Sequence, residues 1–136
     1  MTTVQRVAQI FGIVFILVAI VGFMATGMGN MEADPAKAPH LLGLFPVNVL
    51  HNVVHLLLGI WGLVASRSYS SARSYARIAG VLYVVLAVVG FLAPNGFGFV
   101  PLGGNAIWLH AVLGLVLAGV GFTARELRPP VSASAA

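Results

Sequence analysis

Residues Pro46 to Arg67 read PVNVLHNVVHLLLGIWGLVASR. The run is apolar enough to cross a bilayer, yet its first half carries Asn48, His51, Asn52 and His55. Gly59, Trp61 and Gly62 follow, and the run ends on Arg67. Polar side chains in a membrane span are costly and face the interior of a bundle rather than lipid. The reading of this stretch therefore depends on whether the rest of the chain supplies partner helices.

It does. The chain has 136 residues, 60% of them hydrophobic and 7% charged, with a mean hydropathy of +1.01. Soluble domains carry about 25% charged residues, so lipid must solvate most of this surface. Four spans of about 20 residues would use most of the length and leave no room for a soluble domain. The formal net charge is +4, but the arginines Arg6, Arg67, Arg73, Arg77, Arg125 and Arg128 all fall near expected helix ends. Such placement sets orientation and meets lipid headgroups, and it argues against nucleic acid as a partner. There is no cysteine, which excludes disulfides, iron–sulfur clusters, thiolate zinc sites and cysteine nucleophiles.

The apolar runs predict spans at about 4–27, 46–65, 75–93 and 105–124, in a single domain over 1–128, with 129–136 a disordered tail. The first run is long for a signal peptide and is expected to be retained. Pro46 suits the first turn of the second span. The loop from Asn30 to Phe45 is polar and proline-bearing, Ser66 to Ser74 is a basic, serine-rich connector, and Gly96 to Gly104 is an uncharged glycine-rich loop. By the positive-inside rule both termini are cytoplasmic, and the expected location is the inner (plasma) membrane.

The two halves resemble each other. Gly12, Phe15, Ala19, Gly22, Phe23 and Ala25 recur, 68 residues on, as Gly80, Tyr83, Ala87, Gly90, Phe91 and Ala93. Pro46, His55 and Gly59 recur, 55 residues on, as Pro101, His110 and Gly114. A duplicated helix pair is implied, the copies sharing one orientation about an axis along the membrane normal. The fold class is thus an all-α, integral membrane four-helix bundle of two tandem parallel-repeat helix pairs. Residues at i, i+4, i+8 and i+11 share a helix face. One such face holds His51, His55, Gly59 and Gly62, and another holds His110, Gly114, Ala118 and Gly121. Small residues let membrane helices approach, so the histidines are expected to point inward. A helix starting at Pro46 would put His51 about 7 Å and His55 about 13 Å along it, with His55 near the midplane.

The plainest role for these histidines is packing, through hydrogen bonds to Asn48, Asn52, Asn105 or carbonyls. Haem is a sharper alternative. Axial ligands come from opposite faces of the ring, so His55 and His110 qualify as the cofactor-binding pair, whereas His51 and His55 together do not. A metal site is another: His51 and His55 at i, i+4 share a face, and His110 completes a three-nitrogen set suited to zinc or copper. No span holds an Asp or Glu, which weighs against hydrolysis and against a proton carrier. Met24, Met28 and Met31 read as interface packing, with copper a remote option. No Walker, dinucleotide, nucleophile-elbow or protease motif is present.

Leu41 to Ser68, with Pro46, Asn48, His51, His55, Gly59 and Gly62, resembles a family of small bacterial four-helix membrane proteins known only as domain of unknown function 4383. The resemblance covers about Val4 to Ala124. The layout is also similar, more loosely, to DoxX-like membrane proteins. The resemblance implies the topology and supplies no activity, substrate or cofactor. The sequence thus favours a non-enzymatic structural or interaction component, whose partners are the lipid bilayer and a second copy or other membrane proteins. Its rival is a haem- or metal-binding redox or transport protein centred on His51, His55 and His110.

Overall fold

The computed structural model describes residues 1–126. Arg128 and the tail at 129–136 lie outside the described residues. Four helices span the described residues: α1 (Thr3–Thr26), α2 (Val49–Ala65), α3 (Tyr69–Leu92) and α4 (Asn105–Thr123). A small antiparallel hairpin, β1 (His40–Leu41) with β2 (Phe45–Pro46), lies between α1 and α2. One 3-10 turn at Gly96–Gly98 lies between α3 and α4. Helices α1, α3 and α4 are each long and apolar enough to cross a membrane, while α2, with 17 residues, is a shorter apolar helix. Ile10, Leu17, Leu57, Ile78, Val88 and Leu115 point outward. A continuous apolar exterior of this kind belongs in lipid, and the fold is an integral membrane helix bundle.

Two helix starts differ from the sequence expectation, and both for capping reasons. The second helix begins at Val49, not Pro46. Pro46 pairs with His40 in the hairpin. Asn48, extended at φ −138 and ψ 179, caps the helix by accepting the His51 N–H at 2.9 Å. Asparagine is among the best N-caps because its short side chain reaches a free N–H of the first turn. The third helix begins at Tyr69, six residues before the expected Tyr75, because Ser68 caps it by accepting from the Ser71 N–H. Hydropathy marks where lipid begins, whereas the cap marks where the helix begins. Most of the serine-rich connector is therefore helical.

Packing is dominated by α1 against α2 and α3 against α4, and the contacts repeat. A Cβ on Gly59 would lie 2.8 Å from the Gly12 carbonyl oxygen and 2.9 Å from the Ile16 nitrogen. A Cβ on Gly114 would lie 2.9 Å from the Gly80 carbonyl oxygen and 2.7 Å from the Val84 nitrogen. Gly80 and Val84 stand 68 residues after Gly12 and Ile16, and Gly114 stands 55 after Gly59. Likewise Gly22 faces Asn52, and Gly90 faces Ile107. The loops repeat too. Leu42 (φ 55) and Gly43 (φ 72) correspond, 55 residues on, to Phe97 (φ 60) and Gly98 (φ 89). Left-handed backbone is uncommon in a large apolar residue, so its recurrence at matched positions extends the duplication into the loops.

The two pairs are braced against each other reciprocally. At the start of α2, the Asn48 amide donates to the Phe99 carbonyl at 2.8 Å. At the start of α4, the Asn105 amide donates to the Leu44 carbonyl at 3.0 Å. At the opposite end Gln5 donates to the Ser66 carbonyl, and Arg77 donates to the Gly121 carbonyl and stacks over Phe122. The amino terminus, the α2–α3 connector and the end of α4 therefore share one end of the bundle, which carries Arg6, Arg67, Arg73, Arg77 and Arg125.

Inserting side chains at the backbone crossings should be costly. Gly12→Val and Gly59→Val should each destabilise by about 1–3 kcal/mol, the usual cost of overpacking, and lower the thermal midpoint in detergent. Gly119→Ala, where a Cβ meets nothing within 4 Å, should leave the midpoint unchanged or raise it. Equal effects at the three positions would contradict the packing described.

Candidate metal centre

Three histidines meet in the bundle. His51 lies in the first turn of α2, His55 one turn further on, and His110 in the second turn of α4. All three are buried. One ring nitrogen from each can be chosen so that the three lie within 4.8 Å of one another. The rings are roughly parallel: His51 and His55 stack with centroids 4.0 Å apart, and His110 lies 6.3 Å from His51 and 6.4 Å from His55. His55 and His110, the repeat mates, face each other across the bundle axis. So do Phe15 and Tyr83, whose rings stack at 5.2 Å beside them.

Hydrogen bonding fixes the His55 tautomer. Its Nδ1 lies 3.0 Å from the His51 carbonyl oxygen. A carbonyl only accepts, so Nδ1 carries the proton and Nε2 keeps its lone pair. The Tyr83 hydroxyl, 3.0 Å from Nε2, therefore donates to it. A backbone carbonyl holding the far nitrogen is the usual way a metal-ligating histidine is oriented. His51 and His110 differ: Nδ1 of each is buried without a hydrogen-bond partner. Buried polar atoms are rarely left so, and each exception asks for an explanation such as an ion or a water.

Two cavities flank the cluster. One of about 260 Å³ lies between α2, α3 and the α3–α4 loop, and one of about 210 Å³ lies between α1, α4 and the hairpin. His51, His55 and His110 line both. Val18 and Leu86, Leu109 and Val54, Leu42 and Phe97 line the two at matched repeat positions.

The sequence reading placed His51, His55 and His110 on inward faces, and the structure brings all three together. Depth is revised. With α2 starting at Val49, His51 stands about 3 Å and His55 about 9 Å along the helix, so the cluster lies toward the loop end rather than at the midplane. The expected asparagine partners serve elsewhere: Asn48 and Asn105 hold loops, and the Asn52 amide donates to the Thr26 hydroxyl. Tyr83 is the partner that sequence reasoning missed. The signal was available, since it is the polar counterpart of Phe15 in the repeat.

The chain belongs to the family described as Domain of unknown function (DUF4383), which matches residues 5–123. No curated protein and no solved structure matches it.

Tyr83→Phe should leave His55 Nε2 buried and unpartnered, a loss of about 1–3 kcal/mol. The thermal midpoint in detergent should fall accordingly, and a midpoint equal to that of the wild type would contradict the bond.

Proposed function

We propose that this membrane protein holds one transition-metal ion, zinc or copper, on His51, His55 and His110. The observation that carries the reading is the convergence of three buried imidazoles with donor atoms within 4.8 Å, two of them with an orphaned nitrogen. Zinc binds imidazole at about 2.0–2.1 Å, so tetrahedral ligands sit about 3.3 Å apart. The rings need to close by little more than an ångström, and the Tyr83 hydroxyl must release His55 Nε2 as they do. Imidazole suits both zinc and copper.

The ligand set also bears on chemistry. The three acids, Glu32, Asp34 and Glu126, lie outside the helices, so no carboxylate beside the histidines acts as base for a metal-bound water. The site is suited to holding or passing an ion or an electron within the membrane, and not to hydrolysis. An ion fits better than haem on His55 and His110. A porphyrin between those rings would have to part Phe15 from Tyr83 and push aside His51, which stacks on His55 at 4.0 Å. The arginine-bearing end faces the cytoplasm by the positive-inside rule, which puts the histidines toward the outer half of the membrane.

Detergent-purified protein loaded with Zn²⁺ or copper and then desalted should retain about one ion per chain, as a closed histidine site would. His55→Ala and His110→Ala should retain only background. A wild type that stays metal-free after both loadings would sink the proposal, and a Soret band lost in His55→Ala would replace it with haem. Reporter fusions at Ser66 should read cytoplasmic; an external reading would reverse the orientation.

A further inference from the structure

The larger cavity has two unlike ends. Its inner end is formed by His51, His55, His110 and Tyr83. Its walls are apolar, including Leu86 and Val89, and Phe97 and Phe99 stand at its loop end. At about 260 Å³ it exceeds the roughly 150 Å³ that holds a benzene molecule in an engineered cavity, and it has room for a second fused ring. Walls of this kind offer nothing to a hydrated ion, which would have to shed water against them. They suit a neutral apolar molecule arriving from the lipid. Six of the twelve lining residues are phenylalanine, tyrosine or histidine, and aromatic rings favour offset or edge contacts with other rings.

The polar end specifies the rest. The Tyr83 hydroxyl spends its proton on His55 Nε2, which leaves its oxygen able to accept. A ligand hydroxyl that donates to this oxygen would extend the chain of hydrogen bonds from ligand to Tyr83 to His55 to the His51 carbonyl. The smaller cavity has no counterpart, because Phe15 stands there in place of Tyr83. The duplication thus supplies one cavity with a hydroxyl and one without.

We propose that the cavity between α2, α3 and the α3–α4 loop binds a neutral aromatic alcohol, with its ring among Leu86, Val89, Phe97 and Phe99 and its hydroxyl on Tyr83. The assignment stands apart from the metal reading, since it requires only the Tyr83–His55 bond and the cavity.

The test uses 1-naphthol as probe and naphthalene as the analogue without oxygen, on metal-free protein in detergent, with zinc retention measured in parallel. The wild type should bind 1-naphthol saturably, and more tightly than naphthalene by about 2- to 12-fold, the worth of one hydrogen bond. Tyr83→Phe should erase that preference. Leu86→Trp fills this cavity and should abolish binding, whereas Val18→Trp fills the other cavity at the matched repeat position and should not. Leu86→Phe serves where the larger side chain prevents folding. Loss of naphthol in the Leu86 variant with zinc retention unchanged supports the assignment. A wild type that binds naphthol and no metal retires the ion and still supports it. Non-saturable uptake, equal affinity for naphthalene, or equal loss in the Val18 and Leu86 variants overturns it.

Discussion

Helix backbones in contact are the constraint on which this bundle rests. Within each pair the helices cross where neither can carry a side chain, at Gly12 against Gly59 and at Gly80 against Gly114. In lipid no hydrophobic force drives helices together, so close van der Waals contact takes its place. The crossing fixes which face of α2 and α4 turns inward, and the histidines lie on those faces. Moving either crossing by one residue would rotate the histidines about 100° toward lipid, since the α-helix has about 3.6 residues per turn.

The duplication then brings the two faces together. A pseudo-twofold arrangement sets His55 against His110 and Phe15 against Tyr83. The departures from symmetry are chemically one-sided. His51 has Ala106 as its counterpart, and Tyr83 has Phe15. A symmetric bundle would hold two facing imidazoles. This one holds three, with a hydroxyl on the central one and orphaned nitrogens on the other two. The asymmetry turns a packing contact into a set of donors able to surround an ion, and it gives the two flanking cavities different polarity.

Much of this was legible in the sequence because membranes simplify the code. Composition dictates lipid as solvent, and i, i+4 spacing puts His51, His55 and Gly59 on one face. The paired offsets of 68 and 55 give the repeat and with it the His55–His110 pair. What stayed hidden depends on local capping and on side-chain reach. Asn48 and Ser68 set the helix starts, and neither is visible to hydropathy. The two-residue hairpin that takes Pro46 out of the helix is too short to leave a periodicity. The Tyr83–His55 bond depends on the angle at which α3 meets α2, which no spacing encodes. Asn48 and Asn105 were read as partners for imidazoles, yet their amides reach across to the loops of the opposite repeat.

The account turns on three imidazoles sharing one ion. X-ray absorption at the metal edge of zinc- or copper-loaded protein reads that shell directly. It should show three nitrogen neighbours at about 2.0–2.1 Å with the outer-shell scattering of imidazole rings. A shell of oxygen neighbours alone, without imidazole scattering, would contradict it.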